Sequence, residues 1–239
     1  MSKRAIVLAG GKGTRLAPYT IVLPKPLMPI GDYPILEVVI KQLARGGFDR
    51  VTLAVSHQAE IIQAFFGDGS KWGVSIDYSV EDRPLSTMGP LRLIDDLPED
   101  FLIMNGDILT DLDYRKLYDY HVKKNNIFTL SAYKRTDKID YGVLEMDRVG
   151  YLRGFREKPV IENYVSMGIY IANRRIIEMI PRNKPYGFNH LMIDLIKAKK
   201  PASVKMFNGY WLDIGRHDDY KKAIDIFDKK KNIFYLNRF

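Results

Sequence analysis

Cysteine is missing from all 239 residues, and there are only four histidines. Without cysteine the chain has no disulfides and no thiolate metal site, which suits a reducing compartment. No apolar run reaches the ~18 residues of a membrane-spanning helix. The basic start, Met1-Ser-Lys-Arg4, is followed by an apolar stretch too short for a signal peptide. Low-complexity tracts, internal repeats and clear linkers are lacking as well. These absences lead to the expectation of a cytoplasmic protein with no membrane association, folded as one domain over residues 1–239.

What is present is basic and apolar. The formal net charge is +8 and the pI about 9.4, a balance that suits anionic partners. The cations are scattered, and the densest run, Lys229-Lys230-Lys231, reads as a solvated helix end. No nucleic-acid-binding module or basic-aromatic stripe occurs, so nucleic acid is not an expected partner. Hydrophobic residues make up 46%, enough for a sizeable core.

The most informative stretch is the first. Ala5 to Ala9 is a short apolar run, read as a buried strand. Gly10, Gly11 and Gly13 follow at once, and glycine lets a ligand approach the backbone closely. Such a loop can turn its N–H groups inward as an anion cradle, with Lys12, Arg15 and Lys25 around it. The stretch is neither a dinucleotide fingerprint, because Leu16 stands where the third glycine belongs, nor a Walker A loop, because Gly13 follows Lys12. An ordinary glycine-rich turn with solvated cations is the alternative reading.

Along the chain, helical spacing covers Pro34 to Arg45, Ala59 to Phe66 and Met88 to Leu97. Strands are expected at Val51–Val55, Val74–Val80 and Phe101–Met104. This alternation implies a mostly parallel sheet flanked by helices, an α/β, Rossmann-like fold. The second half changes rhythm. Strands at Phe128–Lys134, Gly142–Met146, Leu152–Arg156 and Val165–Ala172 suggest a small antiparallel extension. A helix at Leu191–Ala198, strands at Val204–Phe207 and Tyr210–Ile214, and a helix from His217 to Lys230 complete the expectation.

Three further places carry chemistry. Asp107 in Asn105-Gly-Asp107 ends a parallel strand, where such sheets bind ligands, and its carboxylate suits Mg²⁺; a local turn bond is the alternative. Asp213 in Trp211-Leu-Asp-Ile-Gly215 is a second acid before glycine, either a metal ligand or a turn acid. Lys158 in Phe155-Arg-Glu-Lys-Pro159 could hold a phosphate or end a strand in solvent.

Together these pieces resemble the sugar-1-phosphate nucleotidyltransferases. The resemblance covers almost the whole chain. It rests on Gly10-Gly-Lys-Gly-Thr-Arg-Leu16, Pro24-Lys-Pro-Leu27, Pro84 to Gly89, Asn105-Gly-Asp107, Tyr141-Gly-Val143, Glu157-Lys-Pro159, Met167-Gly-Ile-Tyr170 and Trp211-Leu-Asp-Ile-Gly215, in family order. It is closest in look to mannose- or heptose-1-phosphate guanylyltransferases. The resemblance implies transfer of a nucleoside monophosphate from a nucleoside triphosphate to a sugar 1-phosphate, with Mg²⁺ as cofactor and pyrophosphate as product. Members are often dimers or tetramers, and the resemblance allows a homo-oligomer of either size.

The resemblance also assigns residues. Arg15 would neutralise the leaving pyrophosphate, Lys25 would lie between the two substrates, and Asp107 and Asp213 would hold the metal. The nucleotide would meet Leu8, Ala9, Gly10, Gly11, Gly13, Thr14, Glu81, Pro84, Gly89 and Gly106. The sugar phosphate would meet Gly142, Glu157, Lys158 and Gly168. Its nucleophilic oxygen is already anionic, so no general base is required. The family usually reads Leu-Gly-Thr-Ala-Gly where this chain has Leu85-Ser-Thr-Met-Gly89, and Asn-Ala-Gly where it has Ser166-Met-Gly168. Bulkier Met88 and Met167 therefore bear on the sugar's identity. The chain also stops soon after its last helix, without the C-terminal β-helix of some relatives.

A carboxylate only accepts hydrogen bonds, so Glu81 could take the N1–H and 2-amino group of guanine together. GTP is the expected triphosphate on that ground, with UTP, dTTP and CTP as alternatives. Two other classes remain: a metal-dependent glycosyltransferase using Asp111-Leu-Asp113, and a non-catalytic nucleotide-binding relative.

Overall fold

The computed structural model describes residues 2–229 and Phe234. In chain order the elements are β1 (Arg4–Leu8), β2 (Pro29–Ile30), β3 (Tyr33–Pro34), α1 (Ile35–Arg45), β4 (Arg50–Val55), α2 (Ala59–Phe66), β5 (Ser75–Val80), β6 (Asp100–Asn105), β7 (Ile108–Thr110), α3 (Tyr114–Lys124), β8 (Phe128–Lys138), β9 (Val143–Met146), β10 (Leu152–Arg156), β11 (Val160–Asn173), α4 (Phe188–Lys197), β12 (Ala202–Phe207), β13 (Trp211–Asp213) and α5 (His217–Lys229). Seven strands form one sheet in the order β12-β8-β11-β6-β1-β4-β5. All its pairings are parallel except those that β11 makes with β6 and β8. The smaller antiparallel pieces are β9–β10, β13–β7 and β2–β3.

Side-chain alternation along each strand builds a core on both faces. From β1, Ala5 and Val7 point to the face covered by α1, α2 and α3, with Leu102 and Met104 of β6 beside them. Ile6 points to the opposite face with Phe101 and Ile103, where Leu191 and Leu195 of α4 cover them. A third cluster joins Leu109, Ile35 and Val38 to Ala223 and Phe227 of α5. The last helix is thereby anchored beneath the short β7–β13 ribbon.

Several expectations need correcting. Met88 to Leu97 is not an α-helix; only a five-residue 3₁₀ turn forms over Gly89–Leu93. Gly89 and Pro90 make a poor helix interior, and Asp95-Asp96 with Pro98 turn the chain away. α3 and β7 carry no strong sequence signal, because on α3 only Tyr114, Leu117 and His121 are fully buried. On α2 the sequence puts Ile61, Ile62, Phe65 and Phe66 on the apolar side, but Ile61 and Phe65 are exposed while Ala59, Ile62 and Phe66 are buried. On α5 the spacing puts Ile224 on the inward face with Tyr220, Ala223 and Phe227, but Ile224 faces outward and Ile226 packs inward. β11 begins at Val160, because residues 160–166 pair with β8 in a long two-stranded arm. Lys230 and Lys231, at the end of the expected last helix and basic run, lie outside the described residues. Among the described residues no helix is long and apolar enough to cross a membrane.

Candidate active site at the carboxyl ends of the strands

The glycine loop leaves β1 at the edge of a crevice. A side chain on Gly10 would press within 3.2 Å of Glu81 Oε1 and of the Ser56 backbone. Gly13 has φ +63°, and a Cβ there would lie 2.9 Å from Thr20 Cγ2 and 3.0 Å from Lys25 Cβ. Gly10 is thus closely packed, and Gly13 needs glycine for both room and conformation. Thr20 Oγ1 donates to Gly13 O at 2.8 Å. The loop is thus held against the segment that supplies Lys25. Thr14 starts the 3₁₀ turn that carries Arg15.

β6 runs antiparallel to β11 and parallel to β1, and ends at Asn105. The turn Gly106-Asp107 follows, with Gly106 N–H donating to Leu8 O at 3.0 Å. β7 then pairs antiparallel with β13, placing Asp213 opposite Ile108. Ile214 N–H donates to Asp107 O at 3.0 Å, so the two acids are neighbours. Lys25 Nζ pairs with Asp107 Oδ2. Asp107 Oδ1 and Asp213 Oδ1 are buried and have no hydrogen-bond partner among the described residues. Burial pushes the Asp213 carboxyl up from its ordinary value, and the charge of Asp107 pushes it further, against the pull of Lys25 and Arg15. Arg15 lies against Gly215: a Cβ there would be 3.5 Å from Arg15 Nη2 and 3.1 Å from Asp213 Oδ1.

Two orphaned carboxylate oxygens side by side are costly unless something takes them. A hard divalent cation fits. Mg²⁺ commonly uses one or two carboxylates and completes its shell with phosphate oxygens and water. Among the described residues there is no cluster of three or more metal-ligating side chains, so a metal held by protein alone is not what this site offers.

Two cavities flank the glycine loop and the acids. One, of about 450 Å³, is lined by Leu8, Gly10, Gly11, Glu81, Pro84 and residues from the Ser56–His57 and Ser86–Thr87 turns. Its walls are mostly apolar, with the Glu81 carboxyl half-buried. Glu81 Oε2 accepts the Leu85 N–H at 2.8 Å, and burial raises the carboxyl against that bond. Gly89 stands behind this loop, where its N–H and that of Met88 both donate to Tyr186 O at 2.9 Å. Ala9, which extends β1 by donating to Ala54 O, is buried behind the cavity.

The second cavity, of about 260 Å³, is bounded by Asn105, Asp213, Thr87–Met88, Ser166–Gly168 and the Tyr170–Phe188 ring pair. Gly168 has φ +73°, and a Cβ there would sit 2.7 Å from Asn105 Nδ2. Trp211 Nε1 donates to Met167 O at 3.0 Å, tying this turn to β13. Met88 and Met167 reach the wall but are themselves 0% and 1% exposed, packed into the core on opposite faces of the sheet.

Other candidates stand apart. Gly142 and Glu157 meet each other on the β9–β10 hairpin, where a Cβ on Gly142 would be 3.3 Å from Glu157 Oε2. Glu157 and Lys158 are exposed, and Lys158 has φ +43°. None of the three lines the cavity bounded by Asn105 and Asp213. Asp111 Oδ1 accepts the Tyr210 N–H at 2.7 Å and Asp113 Oδ1 caps α3 through the Lys116 N–H at 2.9 Å. Both acids of the alternative metal motif are thereby engaged in local structure.

The structure adds residues that the sequence reading passed over. Ser56 and His57 line the larger cavity, Asn105 backs the Gly168 turn, and Arg135 and Arg216 line a further cavity that also includes Asp213. Asn105 precedes Gly-Asp in the motif and could have been singled out. Arg135 could not, since nothing local distinguishes it from other basic residues.

Residues 4–230 match the nucleotidyl transferase family. Among curated relatives, a UTP–glucose-1-phosphate uridylyltransferase of Synechocystis is 34% identical over 92% of this chain and 62% of its own length. A mannose-1-phosphate guanyltransferase of Candida albicans is 33% identical over 91% of this chain and 62% of its own. The chain therefore aligns with 62% of the length of these relatives. The crystal structure of HddC from Yersinia pseudotuberculosis complexed with GMP-PN superposes with a TM-score of 0.73 at 27% identity, covering 94% of this chain and 99% of that one.

Proposed function

Because the chain belongs to the nucleotidyl transferase family, we propose that it joins a nucleoside monophosphate to a sugar 1-phosphate and releases pyrophosphate. The observation that carries this reading is the pair of buried, unpartnered oxygens of Asp107 and Asp213 beside Lys25, Arg15 and the glycine loop. Residues 1–239 are read as one catalytic domain, since a single sheet and both its helical layers draw on the described chain throughout.

The proposed roles follow from charge and position. The loop from Gly10 to Thr14 cradles the triphosphate with backbone N–H groups. Lys25, paired with Asp107, faces the α-phosphate, and Arg15 meets the leaving group. Asp107 and Asp213 would hold Mg²⁺, which when bound neutralises phosphate charge and aligns the reacting oxygens. The sugar lies in the cavity between Asn105 and Ser166–Gly168; Glu157 and Lys158 stand outside it on the exposed β9–β10 hairpin and would have to move inward to meet the sugar phosphate. Its phosphate oxygen attacks the α-phosphorus in line, and no side chain has to remove a proton. Catalysis is positioning plus charge stabilisation.

GTP is the proposed triphosphate. Glu81 offers acceptors only, in a mostly apolar cavity, and guanine presents two adjacent donors to meet them. The Candida albicans relative is named a guanyltransferase and the Yersinia structure carries GMP-PN, in line with this choice. The Synechocystis relative is named a uridylyltransferase, which makes UTP the competitor to beat. The test combines protein, Mg²⁺, each nucleoside triphosphate and a panel of sugar 1-phosphates, and follows pyrophosphate. Release with GTP in preference to UTP, and loss of that preference in Glu81→Gln, is the expected result. Preference for UTP or dTTP overturns the guanine assignment, and no release with any pairing overturns the activity.

A further inference from the structure

Cations gather in a second place, outside the glycine loop. A cavity of about 380 Å³ lies on the Arg15 side of Asp213 and is reached by Arg15, Arg135, Arg216 and Lys222. The three outer cations come from separate elements: β8, the turn before α5, and α5 itself. Among the described residues Arg15, Arg216 and Lys222 form no salt bridge. Arg135 pairs with Asp137 at 2.9 Å, but both side chains are largely solvated, at 61% and 48% exposure, so the pair holds Arg135 weakly. The acids on this wall besides Asp213 are Asp218 and Asp219, in the first turn of α5, where the helix dipole favours them.

Asp213 also lines the cavity of Asn105 and Ser166–Gly168. It therefore stands between two openings, one with a mixed wall suited to a sugar and one rimmed by cations. An in-line displacement needs this arrangement, because the entering and leaving oxygens lie on opposite sides of the phosphorus. The sugar-phosphate oxygen forms its bond to the α-phosphorus from one side. The bond from that phosphorus to the bridging oxygen breaks on the other, and its electron pair leaves with pyrophosphate.

We infer that Arg135, Arg216 and Lys222 form a receiving site for the departing pyrophosphate, continuous with Arg15. The inference rests on the proposed reaction and extends it to residues outside the recognised motifs. The position of Arg15 supports it, because Arg15 lines this cavity together with Gly215, where a Cβ would lie 3.5 Å from Arg15 Nη2.

The test measures pyrophosphate directly. Isothermal titration of inorganic pyrophosphate with Mg²⁺ into the full chain is compared for wild type, Arg135→Ala, Arg216→Ala, Lys222→Ala and the triple variant. Each loss of an exposed cation is expected to weaken binding about three- to fivefold, and the triple variant by well over tenfold. In the reverse reaction the KM for pyrophosphate should rise while that for the nucleotide sugar stays within about twofold, and Arg135→Lys should restore most of the loss. An active triple variant with wild-type pyrophosphate affinity overturns the inference and leaves the reaction standing. A wild-type chain that releases no pyrophosphate with any substrate pair overturns the reaction, and the leaving-group role with it.

Discussion

The sheet carries a charged cluster at each end, and the two are opposites. At the amino ends of the strands, Arg4 is 2% exposed yet fully engaged. Its Nε donates to Thr52 Oγ1 at 2.8 Å, its Nη1 to Asp96 Oδ1 at 2.7 Å and its Nη2 to Asp77 Oδ2 at 2.7 Å. Arg50 braces the same two acids from β4. At the carboxyl ends, Asp107 and Asp213 repel each other and leave an oxygen apiece without a partner among the described residues. A satisfied buried network does structural work, whereas two unsatisfied carboxylates in a crevice cost stability and mark a candidate place for a ligand. The same physics thus separates a structural ion cluster from a candidate chemical one without reference to relatives.

The largest expected effect is on turnover at the unsatisfied end. Asp107→Asn and Asp213→Asn should each cut kcat by on the order of a thousandfold or more, since each removes several kcal/mol of charge stabilisation. The comparison predicts a second effect. Removing one of two repelling carboxylates should leave metal-free Asp213→Asn as stable as wild type or about 1 kcal/mol more so, the usual exchange of stability for function. Melting curves with chelator and with Mg²⁺ check this. A marked loss of stability in the metal-free variant would make Asp213 a structural acid.

At the satisfied end the pattern inverts. Arg4→Met should cost about 2 kcal/mol in urea unfolding, less than a fully buried pair because Asp77 and Asp96 stay partly solvated. Its kcat should remain within about twofold of wild type, because the glycine loop lies at the far end of β1. Loss of kcat at unchanged stability would show that the two ends are coupled through the strand.

How much of this contrast is legible in the sequence depends on range. The strand Ala5–Ala9, the glycine loop and helix α1 declare themselves locally, because Ile35, Leu36, Val39, Ile40 and Leu43 all point inward, as their spacing requires. α3 does not, for its exposed face is polar and its buried one is narrow. Met88–Leu97 misleads because its apolar residues fill the core from a 3₁₀ turn and loop, without helical geometry. The meeting of Asp107 and Asp213 depends on β7 pairing with β13 across about a hundred residues, a register that no local pattern encodes. The Arg4 cluster is equally long-range, joining residues 4, 52, 77 and 96.

The smallest expected effect is a pH dependence at the satisfied end. Hydrogen bonds from Arg4 and then Arg50 hold the Asp96 carboxyl down at about 2. A carboxyl depressed in the folded state stabilises it above the unfolded value of roughly 4, and that contribution is lost as pH falls toward 2. The Asp96 side chain is 59% exposed, so solvent and salt screen the interaction and its contribution stays below about 1 kcal/mol. Asp96→Asn should therefore unfold slightly more easily than wild type at pH 7 in low salt. The gap should narrow both as salt rises and as pH drops through the range from 4 to 2. Urea titrations at two ionic strengths and three pH values measure it. A gap that persists at pH 2, where the wild-type carboxyl is itself losing its charge, would assign the Asp96 contribution to packing rather than to its ion pairs.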